Sequence, residues 1–369
     1  MSINCSNSPL KPDWIKVQIT RNCNLSCSFC SQAEWRENVN LDISRLIENV
    51  LLPAMPLRLL IITGGEPLTK IPELTELLSF CQSNKIEVGI FTNLTLLDQA
   101  LACKLKVLGV QWLRTTINGS IQNVHECSYP KGSFLKTLEG ISVAQRNNLH
   151  VKVRVTVSRS NLNDVENILR LCAEKSIEEV DFRPYLPLGD CNPHEDFNLH
   201  VEEMMRICAL LMLYREHKPL VKIKLLPGWF DYIFENLIAS KTSFEECHCG
   251  RKYLYVDAEG NYRSCAGHKY IIDSMTNVKI DSVWIDNPHL TAVRSYSQPD
   301  YCAKCPCRVN CHKANCHLVN YETSQSFESI NPYCPIYYFD PKDSGNGYIK
   351  AREKFSIYLA EAKTRVCQG

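Results

Sequence analysis

Apolar and polar residues alternate in two rhythms along the first two thirds of the chain. Ile15-Lys16-Val17-Gln18-Ile19 repeats with period two, the mark of a half-buried strand. Leu57-Arg58-Leu59-Leu60-Ile61-Ile62 is apolar except at Arg58 and stops at Gly64-Gly65. Ile86–Phe91, Gln111–Ile117, Val151–Val157 and Val180-Asp181-Phe182 continue the series of strands. Between them the rhythm changes. Leu74, Leu77, Leu78 and Cys81 recur at i, i+3, i+4 and i+7, and Val165, Ile168, Leu169 and Cys172 repeat that spacing. Strands alternating with helices predict βα units around a parallel sheet. Six such units make an α/β chain, either a partial barrel or an open sheet.

The alternation stops near Phe244. Beyond it, Tyr255–Asn261 reads as a β-hairpin turning at Glu259-Gly260-Asn261. This stretch is too poor in long apolar runs to build a large core unaided, so bound metal is expected to supply folding energy. From Tyr348 to Val366, Ala351, Phe355, Tyr358, Leu359 and Ala362 share one helical face. The expected organisation is a barrel over 1–240, a cysteine-rich domain over 241–345 and a C-terminal helix over 346–369.

Composition narrows the chemistry. The 369 residues are 45% apolar and 22% charged, with a net charge of +1, so bulk charge gives no reason to bind nucleic acid or an anionic membrane. Either role would need a local basic patch. The most apolar stretch, Val50 to Thr63, is broken by Pro53, Pro56 and Arg58 and is too short to span a bilayer. Met1 to Cys5 has no secretory pattern, so a cytoplasmic protein is expected, with its thiols reduced. Twenty cysteines are then better read as metal ligands than as disulfides.

Cys23, Cys27 and Cys30 form C-x3-C-x2-C directly after the first strand. Three thiolates leave one coordination position open, the arrangement of a reactive site. A zinc site, or thiols that merely lie close, is the plainer reading. The next strand ends in Thr63-Gly64-Gly65-Glu66-Pro67. Glycines at the C-terminal edge of a parallel strand let backbone approach a ligand, and Glu66 could accept hydrogen bonds from a ligand ammonium. Alone, the same residues read as a tight turn before a helix.

Together the two motifs resemble those of the radical S-adenosylmethionine (SAM) superfamily. The resemblance implies a partial (β/α)6 TIM-like barrel, with Cys23, Cys27 and Cys30 holding a [4Fe–4S] cluster whose fourth iron is chelated by SAM. It further implies Phe29 at the adenine, Gly64, Gly65 and Glu66 at the methionine amine, and Thr116, Arg154 and Asn161 near the cosubstrate. The stretch His125-Glu126-Cys127-Ser128-Tyr129 stands where the superfamily has a basic residue for the methionine carboxylate.

The C-terminal cysteines carry a second resemblance. Cys249, Gly260 and Cys265 are followed by Cys302-x2-Cys305-x5-Cys311-x4-Cys316 and by Cys334. This is similar to the SPASM extension, with one extra residue before Cys316. It implies two auxiliary [4Fe–4S] clusters, one on Cys249, Cys265 and Cys316, the other on Cys302, Cys305, Cys311 and Cys334. Cys247 is either the fourth ligand of the first or a spare that leaves an iron open to substrate. Three clusters in all are expected; paired zincs are the competing reading. Cys307 falls outside the pattern.

By these resemblances the chain is an oxidoreductase that cleaves SAM to a 5′-deoxyadenosyl radical and abstracts a hydrogen atom. The leading expectation is a peptide or protein substrate, the enzyme being a maturase of a ribosomally made peptide that forms an oxidative crosslink or modifies a side chain or backbone. The alternatives are a small molecule (sugar, aminocyclitol or tetrapyrrole) and a non-catalytic iron–sulfur or zinc protein. A flavodoxin or ferredoxin is the expected reductant. With the first motif at Cys23, no leader-binding module is expected ahead of it, and a separate leader-binding protein is an expected partner in its place. Ala266 stands where some relatives have a basic carboxylate; His268 is the substitute base, or a second-shell histidine. Cys127, Cys191 and Cys208 are candidate hydrogen-atom donors.

Overall fold

A computed structural model describes residues 10–30, 39–186, 188, 197–217, 221–237, 244–295 and 298–368. Six strands lie where the periodicity puts them: β1 (Trp14–Gln18), β2 (Leu59–Thr63), β3 (Glu87–Phe91), β4 (Val110–Thr116), β5 (His150–Val157) and β6 (Glu179–Pro184). A seventh, β7 (Lys222–Leu225), was not foreseen. All seven are parallel neighbours in chain order. The helices between them bury the faces read from the sequence. Leu74, Leu77, Leu78 and Cys81 are buried on helix Ile71–Ser83, and Val165, Ile168, Leu169 and Cys172 on helix Val165–Glu174.

The expected hairpin is β8 (Tyr253–Val256) and β9 (Asn261–Arg263), followed by β10 (Asp273–Ser274). It is not a separate layer. β8 pairs parallel with β1, so one ten-stranded sheet runs β10-β9-β8-β1-β2-β3-β4-β5-β6-β7. The sheet therefore continues across the expected boundary at residue 240. Asp257 locks the turn: Oδ1 accepts from the Glu259 and Asn261 amides, and Oδ2 accepts Arg263 Nε at 2.9 Å.

The C-terminal helix is longer than its apolar stripe, Ser344–Gln368. It buries Ala351, Phe355, Tyr358 and Ala362 and packs on helix Val201–His217. Phe355 stacks on Phe234 with ring centroids 3.7 Å apart. Among the described residues no helix is long and apolar enough to cross a membrane.

The two faces of the sheet differ. Val151, Val153, Val155 and Val157 turn outward under the helices, while Lys152, Arg154 and Thr156 turn inward. β4 and β6 alternate likewise, with Trp112, Arg114 and Thr116, and with Glu179, Asp181 and Arg183, on the inner face. A parallel sheet covered on both faces is nearly all apolar. Here the inner face is a polar lumen, and the strands narrow it with aromatics. A Cβ on Gly89 would lie 2.0 Å from the Trp112 ring, so glycine is what lets that indole lie across β3.

Candidate functional site

β1 and β2 deliver the two motifs to adjacent strand ends, since Gln18 lies beside Thr63 in register. The chain leaving β1 passes Gly64-Gly65. Gly65 N–H donates to Thr20 O at 2.7 Å and Glu66 N–H to Asn22 O at 2.8 Å. A Cβ on Gly65 would fall 2.3 Å from Asn22 O. The glycine is thus required by the root of the cysteine loop itself.

Glu66 is buried and largely committed. Oε1 accepts from the Leu68 amide at 3.0 Å and the Thr92 hydroxyl at 2.7 Å; Oε2 accepts from the Asn93 amide at 2.7 Å. Burial raises its pKa to about 6, against the pull of those three donors. Asn93 Nδ2 in turn donates to Asn24 Oδ1 at 2.9 Å, inside the cysteine loop. The carboxylate therefore positions the ends of β2 and β3 and, through Asn93, the loop.

Cys23, Cys27 and Cys30 are partly exposed thiols on that loop. All three act on the Tyr129 phenol, whose pKa is pushed well up, first by burial and then by Cys27, while the Thr116 side chain opposes by hydrogen bonding. Phe29 packs on Tyr129 at 5.0 Å, and Ser28 N–H donates to Ser128 O at 3.0 Å. Three thiols, an aromatic wall and Thr116 thus converge at the mouth of the sheet. Asn161 is engaged: it accepts from Ser158 N–H and donates to Asn118 O and Thr156 O, tying β4 to β5. His125 is buried, accepts from Asn118 N–H at 3.2 Å, and is held neutral by burial with a pKa of about 4.

The second thiol set sits at the β8 edge. Cys247 and Cys316 are buried, Cys249 and Cys265 partly so. Cys249 is in hydrogen-bond contact with the free thiols of both Cys247 and Cys265 and lies 3.1 Å from Tyr253 Oη. Burial, with Cys247 next, pushes Cys316 up to about 12. Arg183 reaches this set from β6: burial works against its charge, but Cys316, Cys265 and Cys249 outweigh that and hold its pKa above the ordinary value. So Cys247 lies within the set, as a fourth ligand would. The hairpin turn also touches the first loop. Ala258 N–H donates to Gln18 Oε1, and Arg21 pairs with Glu259 at 3.0 Å.

The third set gathers Cys302, Cys305, Cys311 and Cys334 around Tyr301 and Tyr232. Burial raises Cys334 to about 12. Cys307 joins it. It is buried, hydrogen-bonds to Cys305, and through that hydrogen bond lowers the Cys305 pKa to about 7. The spacing pattern gave no sign of this thiol's place; only the short turn before helix Arg308–Ala314 brings it in. Buried thiols ionise at a cost that a bound metal core removes, so these donor sets fit iron–sulfur clusters. Among the described residues no three His, Cys, Asp or Glu side chains are grouped to hold a single ion. The fit rests on the donor sets.

His268 carries two expectations, a substitute base or a second-shell histidine. It is buried, its Nδ1 lies 3.0 Å from Ser264 Oγ, and it stacks on His289 at 5.0 Å. Burial, then His289 and Arg263, lower its pKa to about 3, which makes it a weak base at neutral pH. It packs the cysteine-rich lobe. Of the candidate hydrogen-atom donors, Cys208 is buried on helix Val201–His217, Cys127 is exposed, and Cys191 lies outside the described residues.

The inner face of the sheet completes the site. Lys16 Nζ lies 4.6 Å from the Phe91 ring centroid, and the guanidinium carbons of Arg114 and Arg154 each lie 5.1 Å from it. Asp181 pairs with Arg114 at 2.8 Å and with Arg154 at 3.7 Å. Burial and then Arg154 depress Lys16 to about 7; burial and then Arg114 depress Arg154 to about 9. Arg154, expected beside the cosubstrate, belongs to this cation group.

Known proteins place the chain. The radical SAM superfamily profile matches residues 17–172, and the SPASM iron–sulfur cluster-binding domain matches residues 247–306. The second match ends before Cys311, Cys316 and Cys334. An AdoMet-dependent heme synthase of Methanosarcina barkeri is 24% identical over 342 residues, 88% of this chain and 96% of the relative. The structure of Streptococcus suis SuiB bound to its precursor peptide SuiA superposes with a TM-score of 0.72 at 17% identity, over 88% of this chain and 76% of that one. That of anSMEcpe with AdoMet and the Cp18Cys peptide gives 0.72 at 16% identity, over 96% of this chain and 100% of that one. The chain is a radical SAM enzyme with a SPASM region, and its cofactors are [4Fe–4S] clusters and S-adenosylmethionine.

Proposed function

We propose that this radical SAM enzyme takes a hydrogen atom from a peptide or protein lying over the inner face of the sheet, as a maturase of a ribosomally made peptide. The observation that carries the reading is the polar, cation-lined lumen between two thiol sets joined by Gln18–Ala258 and Arg21–Glu259. A barrel core with no large ligand to admit would be filled with apolar side chains. SuiB and anSMEcpe, whose structures were solved with peptides, share this architecture across most of the chain.

In this proposal Cys23, Cys27 and Cys30 hold the radical cluster, Phe29 and Tyr129 wall the adenine, and the Gly64-Gly65 backbone accepts the methionine ammonium. Cys247, Cys249, Cys265 and Cys316 hold one auxiliary cluster; Cys302, Cys305, Cys311 and Cys334 hold the other. When bound, these groups supply a 5′-deoxyadenosyl radical for hydrogen abstraction and a route for electrons. The protein orients the substrate and excludes water. Glu66 and Asn93 fix the loop, Asn161 fixes the β4 and β5 ends, and Arg183 offsets thiolate charge at the β8 edge.

A second reading, a tetrapyrrole substrate, draws on the heme synthase relative, which this chain matches over nearly its whole length. The test is anaerobic incubation of the reconstituted enzyme with SAM and dithionite, first alone and then with peptides encoded by short reading frames beside the gene. Formation of 5′-deoxyadenosine and a peptide lighter by two hydrogens is the expected result. No 5′-deoxyadenosine from the fully loaded enzyme would overturn the radical reading. Turnover of a porphyrin and of no peptide would select the second.

A further inference from the structure

We infer that Lys16, Arg114 and Arg154, gathered around the Phe91 ring, form a subsite for a carboxylate-bearing part of the substrate. The inference rests on the radical reading above and names the chemistry of what that site accepts.

The placement comes first. The three cations belong to β1, β4 and β5. β1 and β5 are separated by three strands, about 19 Å across a flat sheet. Both nonetheless reach one phenyl ring, with Lys16 Nζ at 4.6 Å and the Arg154 guanidinium at 5.1 Å. Only a concave inner face brings them together. Lys16 lies two residues in from Gln18, the last residue of β1, so it sits about 7 Å below the mouth where the cysteine loop begins.

The charge balance comes second. Seven cations lie on the inner face: Lys16, Arg114, Lys152, Arg154, Arg183, Lys222 and Lys224. The facing anions are Glu179 and Asp181, and Glu87 at the start of β3 pairs with Arg58 at the rim. Glu179 serves the lower lysines, with Lys152 at 3.2 Å and Lys224 at 3.3 Å. Arg183 answers the thiols of the β8 edge. Against Lys16, Arg114 and Arg154 stand Asp181 and one further contact, Arg114 to the shared Glu179 at 3.6 Å. No carboxylate stands within 4.0 Å of Lys16 among the described residues, and Arg114 Nε and Arg154 Nε are buried without an acceptor. The whole chain is only +1, so this excess is local.

Three cations that share Asp181 and part of Glu179, on a half-buried aromatic floor, are costly unless a further anion completes them. Cation–π contacts offset part of that cost, about 0.5–1 kcal/mol each at exposed sites. Paired guanidinium groups favour carboxylates through bidentate hydrogen bonds. The carboxylate could belong to an acidic peptide or to a small polycarboxylate, and the cosubstrate's own methionine carboxylate is the rival to both.

The test uses the reconstituted, anaerobic holoenzyme and two probes, a hexaglutamate peptide and coproporphyrin III, with hexalysine as the control. Kd for each probe and KM for SAM in 5′-deoxyadenosine formation are measured for wild type, Lys16→Gln and the charge-preserving Lys16→Arg. Iron content and melting temperature show whether each variant is folded. We expect at least one acidic probe to bind and hexalysine not to. Kd should rise about tenfold or more in Lys16→Gln, by more than KM for SAM does, and recover in Lys16→Arg. The probe that binds names the source. Failure of both probes to bind, or a Kd unmoved in a folded Lys16→Gln, overturns the inference. A rise in KM for SAM without a change in Kd assigns the cations to the cosubstrate and also overturns it. Loss of 5′-deoxyadenosine formation by the wild type would instead strike the radical reading, whatever the probes do.

Discussion

The loop of Cys23, Cys27 and Cys30 and the set of Cys247, Cys249, Cys265 and Cys316 are built from the same side chain to opposite ends. The first is a partly exposed loop resting on Phe29 and Tyr129, fixed from outside by Gly65, Asn93 and Ser128. The second is anchored to a strand of the main sheet, with two of its thiols buried and a guanidinium behind it. Three donors leave a position for a reacting molecule, whereas four enclose a centre. On the proposed assignment the loop serves turnover and the edge serves endurance, so damage to each should show in different measurements.

The largest effect is expected from Cys27→Ala. Formation of 5′-deoxyadenosine should fall by at least about a thousandfold while the melting temperature stays close to wild type, because a half-exposed loop side chain carries little core packing. A variant that still cleaves SAM at the wild-type rate would refute the loop as the reactive centre. Cys316→Ala should do the reverse. The thiol is buried, so iron content should drop by about four atoms and the melting temperature should fall by several degrees, with substrate turnover lost before SAM cleavage. Equal loss of both activities would erase the contrast between the two sets.

Gly65→Ala probes the root of the loop without touching a thiol. Its Cβ would meet Asn22 O and Arg21 O, so a cost of about 1–3 kcal/mol and weaker SAM cleavage are expected together, read by thermal melts and single-turnover assays. Glu66→Gln isolates one charge. Because the folded pKa is raised from 4.5 to about 6, the native state binds the proton more readily than the unfolded chain does. That contribution to stability is complete below about pH 4.5 and is lost as pH rises through 6, amounting to about 2 kcal/mol. Denaturation at stepped pH should show this slope in wild type and not in the variant. Tyr129→Phe is the smallest perturbation. Losing the hydrogen bond to Thr116 should cost about 1 kcal/mol and loosen the wall beside the three thiols. Wild-type affinity for SAM would show that Tyr129 only packs.

Legibility followed the range of the interaction. β1 to β6 and the helices beginning at Ile71 and Val165 could be read because their signal is local periodicity. β7 escaped, since Lys222-Ile223-Lys224-Leu225 is short and half charged, like a surface turn. The pairing of β8 with β1 escaped because nothing local encodes a partner more than two hundred residues away. At the site, the motif cysteines were legible by spacing, but Cys307 has no spacing rule and owes its position to a turn. Glu66 was read for its charge, and the structure spends it on three internal donors. The cations of the lumen were in view all along. Lysine and arginine at alternate positions of β5 do not belong in a strand covered on both faces, and that mismatch is the trace a ligand-facing strand leaves in a sequence.

The bond between β1 and β8 also sets an order of assembly. β1 precedes the other strands of the sheet in the chain, yet one of its two neighbours, Tyr253–Val256, is made only after the rest of the parallel sheet. Until then the backbone of Trp14–Gln18 has an open edge, the kind of surface on which nascent chains associate. A chain stopped at residue 240 would keep that edge for good. The cysteine-rich lobe thus covers an edge of the parallel sheet as well as carrying thiols, and that edge stays bare until the chain has been made as far as Val256.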